Sequence, residues 1–130
     1  SRSGFYQWAK WRYSDRARQW DTVEKRIASG KPIVNSRNAT PLEIEQVLLS
    51  HAANSPPSLT AEGRFLSAVF LDLRNATGSG GFSPNPISWI EIRSYRKENR
   101  LKKFSKWALN LLHVADGIYL EWVIEEMKKK

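Results

Sequence analysis

Residues 102–129, KKFSKWALNLLHVADGIYLEWVIEEMKK, decide the fold class. Phe104, Trp107, Ala108, Leu111, Leu112, Ala115, Ile118, Tyr119, Trp122 and Val123 recur at i, i+3, i+4 and i+7 spacing. On a helix that spacing gathers them along one face. It predicts a long C-terminal helix serving as the spine of the core. Gly117 stands inside it, where glycine costs about 1 kcal/mol relative to alanine, so a second helix is expected to pass close by.

Immediately upstream, residues 78–101 read GSGGFSPNPISWIEIRSYRKENRL. Ser88 followed by Glu91 is a capping-box pattern, and Ile87 just ahead of Ser88 is placed to act as a hydrophobic staple. Gly78, Gly80 and Gly81 end one helix and permit a sharp turn, while Pro84 and Pro86 stiffen the approach to the next. The expected product is a helix–loop–helix corner. The loop could also cradle an anion, but it lacks the GxxxxGK[ST] spacing of a phosphate loop and follows no strand.

Further upstream, FYQWAKWRYSDRARQWDTVEKRIASGKP (residues 5–32) reads as one helix or as two meeting near Ser14 and Asp15. Tyr13, Trp20, Val23 and Ile27 fall at helical spacing, and Gly30 before Lys31-Pro32 supplies the stop. Thr40, Pro41 and Glu43 form a second helix start. Leu42, Ile44, Val47, Leu48 and Leu49 are expected to be its buried face. A further helix begins near Ser58 or Thr60 and carries Phe65, Leu66, Val69, Phe70 and Leu73 as one stripe. Strand-like alternation is nearly absent. The expectation is an all-α, single domain of about five helices: a basic aromatic region over 1–37, a helical pair over 40–76, then the corner, a basic helix and the long helix over 78–130.

Composition narrows the function classes. The chain has 130 residues, enough for one core, and 41% hydrophobic content with six tryptophans argues against a disordered tail. No cysteine is present, which removes disulfide scaffolds and thiolate metal sites and suits a reducing cytoplasm. No apolar run nears the roughly 20 residues that span a bilayer. The chain opens SRSGF, without methionine or a charged-then-apolar leader, and reads as a trimmed or tagged start. His51 and His113 lie on different helices; His113 and Asp116, one turn apart, read as an ordinary surface pair. Glu121, Glu125 and Glu126 read as a solvated helix face. Since no catalytic, metal or cofactor motif is recognisable, a non-enzymatic role is expected.

The net charge of +8 favours an acidic protein, nucleic acid or anionic lipid as partner. Two basic zones supply it. Trp8, Trp11 and Trp20, interleaved with Arg12, Arg16 and Arg18, are candidates for a protein-binding face, because tryptophan beside arginine makes good interface anchors. Arg93, Arg96, Lys97, Arg100, Lys102 and Lys103 are the nucleic-acid alternative, on a basic helix after a glycine turn. That alternative makes the chain a nucleic-acid-binding regulator or packaging accessory.

Residues 78–123 also resemble small tailed-phage and prophage proteins of tail assembly. The matching pattern is a glycine-rich turn, a Pro-Ile-Pro/Ser-Trp stretch, an isoleucine and tyrosine on the next helix, then Asp-x-x-Tyr-Leu. Here those positions are Gly81, Pro86, Ile87, Trp89, Ile92, Tyr95, Asp116, Tyr119 and Leu120. The resemblance implies a chaperone-like assembly factor in the host cytoplasm, binding a tape-measure or tail-tube protein and in some cases remaining with the virion. On this reading Trp89 and Tyr95 organise the corner, Pro86, Ile87, Ser88 and Glu91 fix the helix start, and Tyr119 and Trp122 dock the corner onto the long helix. The basic segment RKENRLKK departs from the pattern and moves the expected client towards an acidic protein or nucleic acid.

Overall fold

The computed structural model describes residues 3–34, 38–80 and 83–129. Six helices lie among them: α1 (Phe5–Arg12), α2 (Asp15–Ala28), α3 (Pro41–Ala53), α4 (Ala61–Thr77), α5 (Trp89–Glu98) and α6 (Lys106–Lys128). Between α4 and α5 a two-residue antiparallel ladder pairs β1 (Ser79–Gly80) with β2 (Ser83–Pro84). The all-α class and the long C-terminal helix are as expected. The helix count exceeds five because the N-terminal segment divides at Ser14, which is extended and whose hydroxyl donates back to the Trp11 carbonyl at 2.5 Å.

Three helices make the core. Phe5, Trp8, Ala9 and Trp11 of α1 pack with Leu66, Val69, Phe70 and Leu73 of α4, and with Ala108, Leu112 and Ala115 of α6. Phe5 meets Phe70 edge to face at 6.2 Å between ring centres, an arrangement suited to the ring quadrupoles. The pair α2 and α3 forms an arm beside this core, with Ala17 the one buried residue of α2 and no buried residue on α3. The α3 face expected to be buried is therefore largely in solvent. Periodicity shows that a helix has an apolar side; it does not supply the surface that covers it.

Helix ends follow the local chemistry. Thr40, Thr60, Ser88 and Ser105 each accept an N–H from the first helical turn, satisfying donors that the helix itself leaves unpaired. Gly78 terminates α4 at φ 65° and ψ −157°, a conformation essentially reserved for glycine. Gly81 lies outside the described residues.

Close backbone approach occurs at Gly63, not at Gly117. A Cβ on Gly63 would stand 2.2 Å from the Ser3 carbonyl oxygen, whereas one on Gly117 would meet nothing within 4 Å. Ser3 is fully buried, and its carbonyl accepts the Thr60 N–H at 3.2 Å, so the segment just ahead of α1 lies against the first turn of α4. Gly117→Ala is predicted to stabilise the protein by about 1 kcal/mol through helix propensity. Gly63→Ala is predicted to destabilise it by about 1–3 kcal/mol through overpacking. Denaturant unfolding of the two variants checks both, and equal effects would contradict the packing described.

Candidate functional site

Much of the expected N-terminal binding face is internal structure. Trp8 and Trp11 are core residues, and the Trp11 indole N–H donates to the Asn54 carbonyl at 2.7 Å. Arg16 donates to the Ala53 carbonyl at 2.7 Å, closing the C-terminal end of α3. Trp20 stacks on His51 at 4.0 Å, and His51 pairs with Glu24 at 2.8 Å. Arg18 reaches Glu126 on α6 at 3.0 Å and lies over the Trp122 ring. These side chains attach the α2–α3 arm and the end of α6 to the core. Arg12 is exposed and acts on the neighbouring Tyr13 hydroxyl by its charge and by a hydrogen bond. Burial pushes the Tyr13 phenol up to about 12 despite that cation.

The corner is held by a pair the sequence reading did not single out. Arg74 of α4 and Asp116 of α6 form a buried salt bridge, at 6% and 3% exposure. Arg74 also donates to the carbonyls of Gly78 at 3.2 Å and Asn85 at 2.6 Å, and its guanidinium lies over the Tyr119 ring at 4.3 Å. Asp116 takes the Ile87 N–H on its second oxygen at 2.9 Å. The surface pairing expected for His113 and Asp116 is thus corrected: Asp116 is interior, and His113 packs against Trp89 at 4.0 Å. Arg74 and Asp116 each sit on the apolar stripe of their helix, beside Leu73 and Ala115, and opposite charges in two buried stripes were the available signal.

Around that pair the helix start is built as expected. Ser88 and Glu91 close a full capping box, and Ile87 and Ile92 are both buried. Thr77 donates to Glu91 at 2.5 Å, and this bond, ahead of the Ser88 contacts, holds the Glu91 carboxyl below the ordinary carboxylate range. Tyr95 donates to Asp72 of α4 at 2.7 Å. Pro86 is exposed. The Tyr119 ring meets the corner through the Arg74 guanidinium, and Tyr119 and Trp122 both meet Tyr13, at 5.1 and 6.1 Å, which ties α6 to the N-terminal helices. Helix α5 packs on α4 instead of lying along α6.

Two of the open surfaces combine apolar groups with a distinct local charge. The first is a cavity of about 210 Å³ between α5 and the start of α6. Ile92, Phe104 and Leu109 form its apolar floor, Trp89 borders it, and Arg93, Arg96 and Lys103 rim it. The chain reverses at Arg100, which adopts φ 53°, and Leu101 N–H returns to the Arg96 carbonyl at 2.9 Å. A left-handed arginine costs about 1–2 kcal/mol, and the reversal brings Lys103 and Phe104 back beside α5. Lys97, Arg100 and Lys102 are exposed on the same basic segment. The second surface is α3, where Leu42 and Leu49 are 63% and 64% exposed and Ile44 and Leu48 are also in solvent.

Among the described residues no cluster of three or more His, Asp or Glu is placed to hold a metal ion, and no helix is long and apolar enough to cross a membrane. Compared with protein-family models, curated proteins and solved structures, the chain matches none.

Burial first, and then the bond to Asp72, pushes the Tyr95 phenol from the ordinary 10.0 up to about 12. A folded value above the unfolded one means that this contribution to stability is intact below pH 10 and is lost as pH rises through 12. Tyr95→Phe is therefore predicted to be less stable than the wild type at neutral pH by about 1 kcal/mol. The gap should close on alkaline titration. Denaturant unfolding across that range checks it; a gap independent of pH would contradict the assignment.

Proposed function

We infer that this protein is a non-enzymatic, chaperone-like binding factor of tailed-phage or prophage tail assembly, working in the host cytoplasm. One observation carries the binding part. Helix α3 presents Leu42 and Leu49, seven residues apart and so on one face, to solvent at 63% and 64% exposure, with Ile44 and Leu48 exposed beside them and no residue of the helix buried. Two large leucines exposed together on one helix face suit an interaction site. The Leu42–Leu49 face suits an amphipathic helix laid against it, anchored by apolar residues at helical spacing. Glu43 and Glu45 on the same helix favour basic flanks on that client.

The tail-assembly part rests on the resemblance of residues 78–123. A tape-measure protein is a long helical client, and an exposed helix held out on an arm is suited to grip one. A tail-tube subunit is the other client the resemblance implies.

The test is co-expression with tape-measure and tube proteins, followed by co-purification. A stable complex is expected with one of them. Leu42→Glu with Leu49→Glu is predicted to reduce its yield about tenfold or more, since two central apolar anchors are removed, while the far-ultraviolet circular dichroism and the unfolding midpoint stay unchanged. No complex with either client would overturn the reading. So would a wild-type dimer that the same double substitution converts to monomer, because α3 would then be covered by a second copy.

A further inference from the structure

The cavity between α5 and α6 carries a chemistry that the α3 reading does not use. Its rim holds Arg93, Arg96 and Lys103, and none of the three forms an ion pair among the described residues. They belong to a segment, residues 93–106, with seven Lys or Arg and one acidic residue. Cations left unpaired around a hollow attract an anion, and the hollow itself is apolar and aromatic. The occupant must therefore bring a flat or bulky nonpolar group together with negative charge on both sides of it.

We propose that this cavity binds single-stranded nucleic acid, with a base seated against Trp89 and the adjoining phosphates on Arg93, Arg96 and Lys103. Trp89 is 54% exposed and borders the cavity, so its ring is available for stacking. The volume, about 210 Å³, takes one base and leaves no room for a duplex, whose bases are already stacked away. The floor side chains, Ile92, Phe104 and Leu109, offer no donor or acceptor to a base edge. Binding is therefore tolerant of sequence. Arg100, Lys102 and Lys106 continue the cationic track along the same segment for the next phosphates. An acidic peptide with one aromatic side chain would fill the hollow as well, but it does not supply a charge and a ring on every unit, as a single strand does.

The full chain is titrated against a labelled single-stranded oligonucleotide of about 12 nucleotides, read by fluorescence anisotropy. A duplex of the same sequence and an acidic, phenylalanine-bearing peptide serve as competitors. With three phosphates neutralised, the logarithm of affinity should fall against the logarithm of salt with a slope of about −2. Arg93→Ala, Arg96→Ala and Lys103→Ala, each at a solvent-accessible position, should each flatten that slope by about 0.7. Trp89→Leu should weaken binding about tenfold with the slope unchanged, and Trp89→Phe should restore most of it. Circular dichroism melting verifies that each variant is folded. The proposal is overturned by absence of binding at low salt, by equal or tighter binding of the duplex or the acidic peptide, or by a folded Trp89→Leu variant that binds as the wild type does.

Discussion

The buried bond between Arg74 and Asp116 is the constraint on which the rest of the structure depends. An isolated charge in a protein interior is expensive, and a pair is tolerated only when the remaining donors and acceptors are met. Here most of them are. Arg74 spreads its donors over Asp116 and the carbonyls of Gly78 and Asn85, and its flat face covers Tyr119. Asp116 uses its second oxygen on the Ile87 amide. One ion pair thus joins the end of α4, the β1–β2 ladder, the approach to α5 and the middle of α6. Because Ile87 directly precedes the Ser88 cap, the pair fixes where α5 begins. The position of the α5–α6 cavity follows from that.

The molecule divides its aromatic residues between two tasks. Trp8 and Trp11 fill the core, while Trp20 and Trp122 join elements through His51, Tyr13 and Arg18. Trp89 is the exception, packed on one side by His113 and otherwise open. Helix α3 leaves four large apolar side chains in solvent, on an arm that meets the core through α2 and through the Trp11–Asn54 bond. Binding surfaces carried on separate elements can meet different partners without disturbing the α1–α4–α6 core. The cationic cavity and the exposed leucines of α3 lie on separate elements and differ in local charge.

Local features were legible in the sequence, and pairings across the chain were not. The α6 stripe, the caps at Thr40 and Ser88, the helix start near Ser58 or Thr60 and the stop at Gly30 are set by residues within a few positions of one another, so their spacing alone carries them. Gly63 and Gly117 show the limit. Both are glycines inside a helix, and only the distant Ser3 carbonyl distinguishes the one that cannot accept a side chain. Leu42 and Leu49 show another: their spacing is that of a buried stripe, but among the described residues no element covers them. The tryptophan–arginine alternation over residues 8–20 was read as one face. Its arginines mostly close helix ends and bridge elements, because the break at Ser14 turns α2 away from α1. The rim cations of the cavity were named from the sequence as a basic helix; the hollow they surround arises from the reversal at Arg100, which no spacing rule announces.

Amide hydrogen exchange of Ile87, measured by nuclear magnetic resonance on the intact chain, tests the central pairing most directly. This N–H lies in a loop and has a carboxylate, not a helix carbonyl, as its acceptor. If the Arg74–Asp116 pair holds the corner as described, Ile87 should exchange as slowly as the core amides of α4 and α6, whose opening requires global unfolding. Exchange at the rate of an unprotected loop amide would contradict the account and leave the start of α5, and the cavity beside it, without a fixed position.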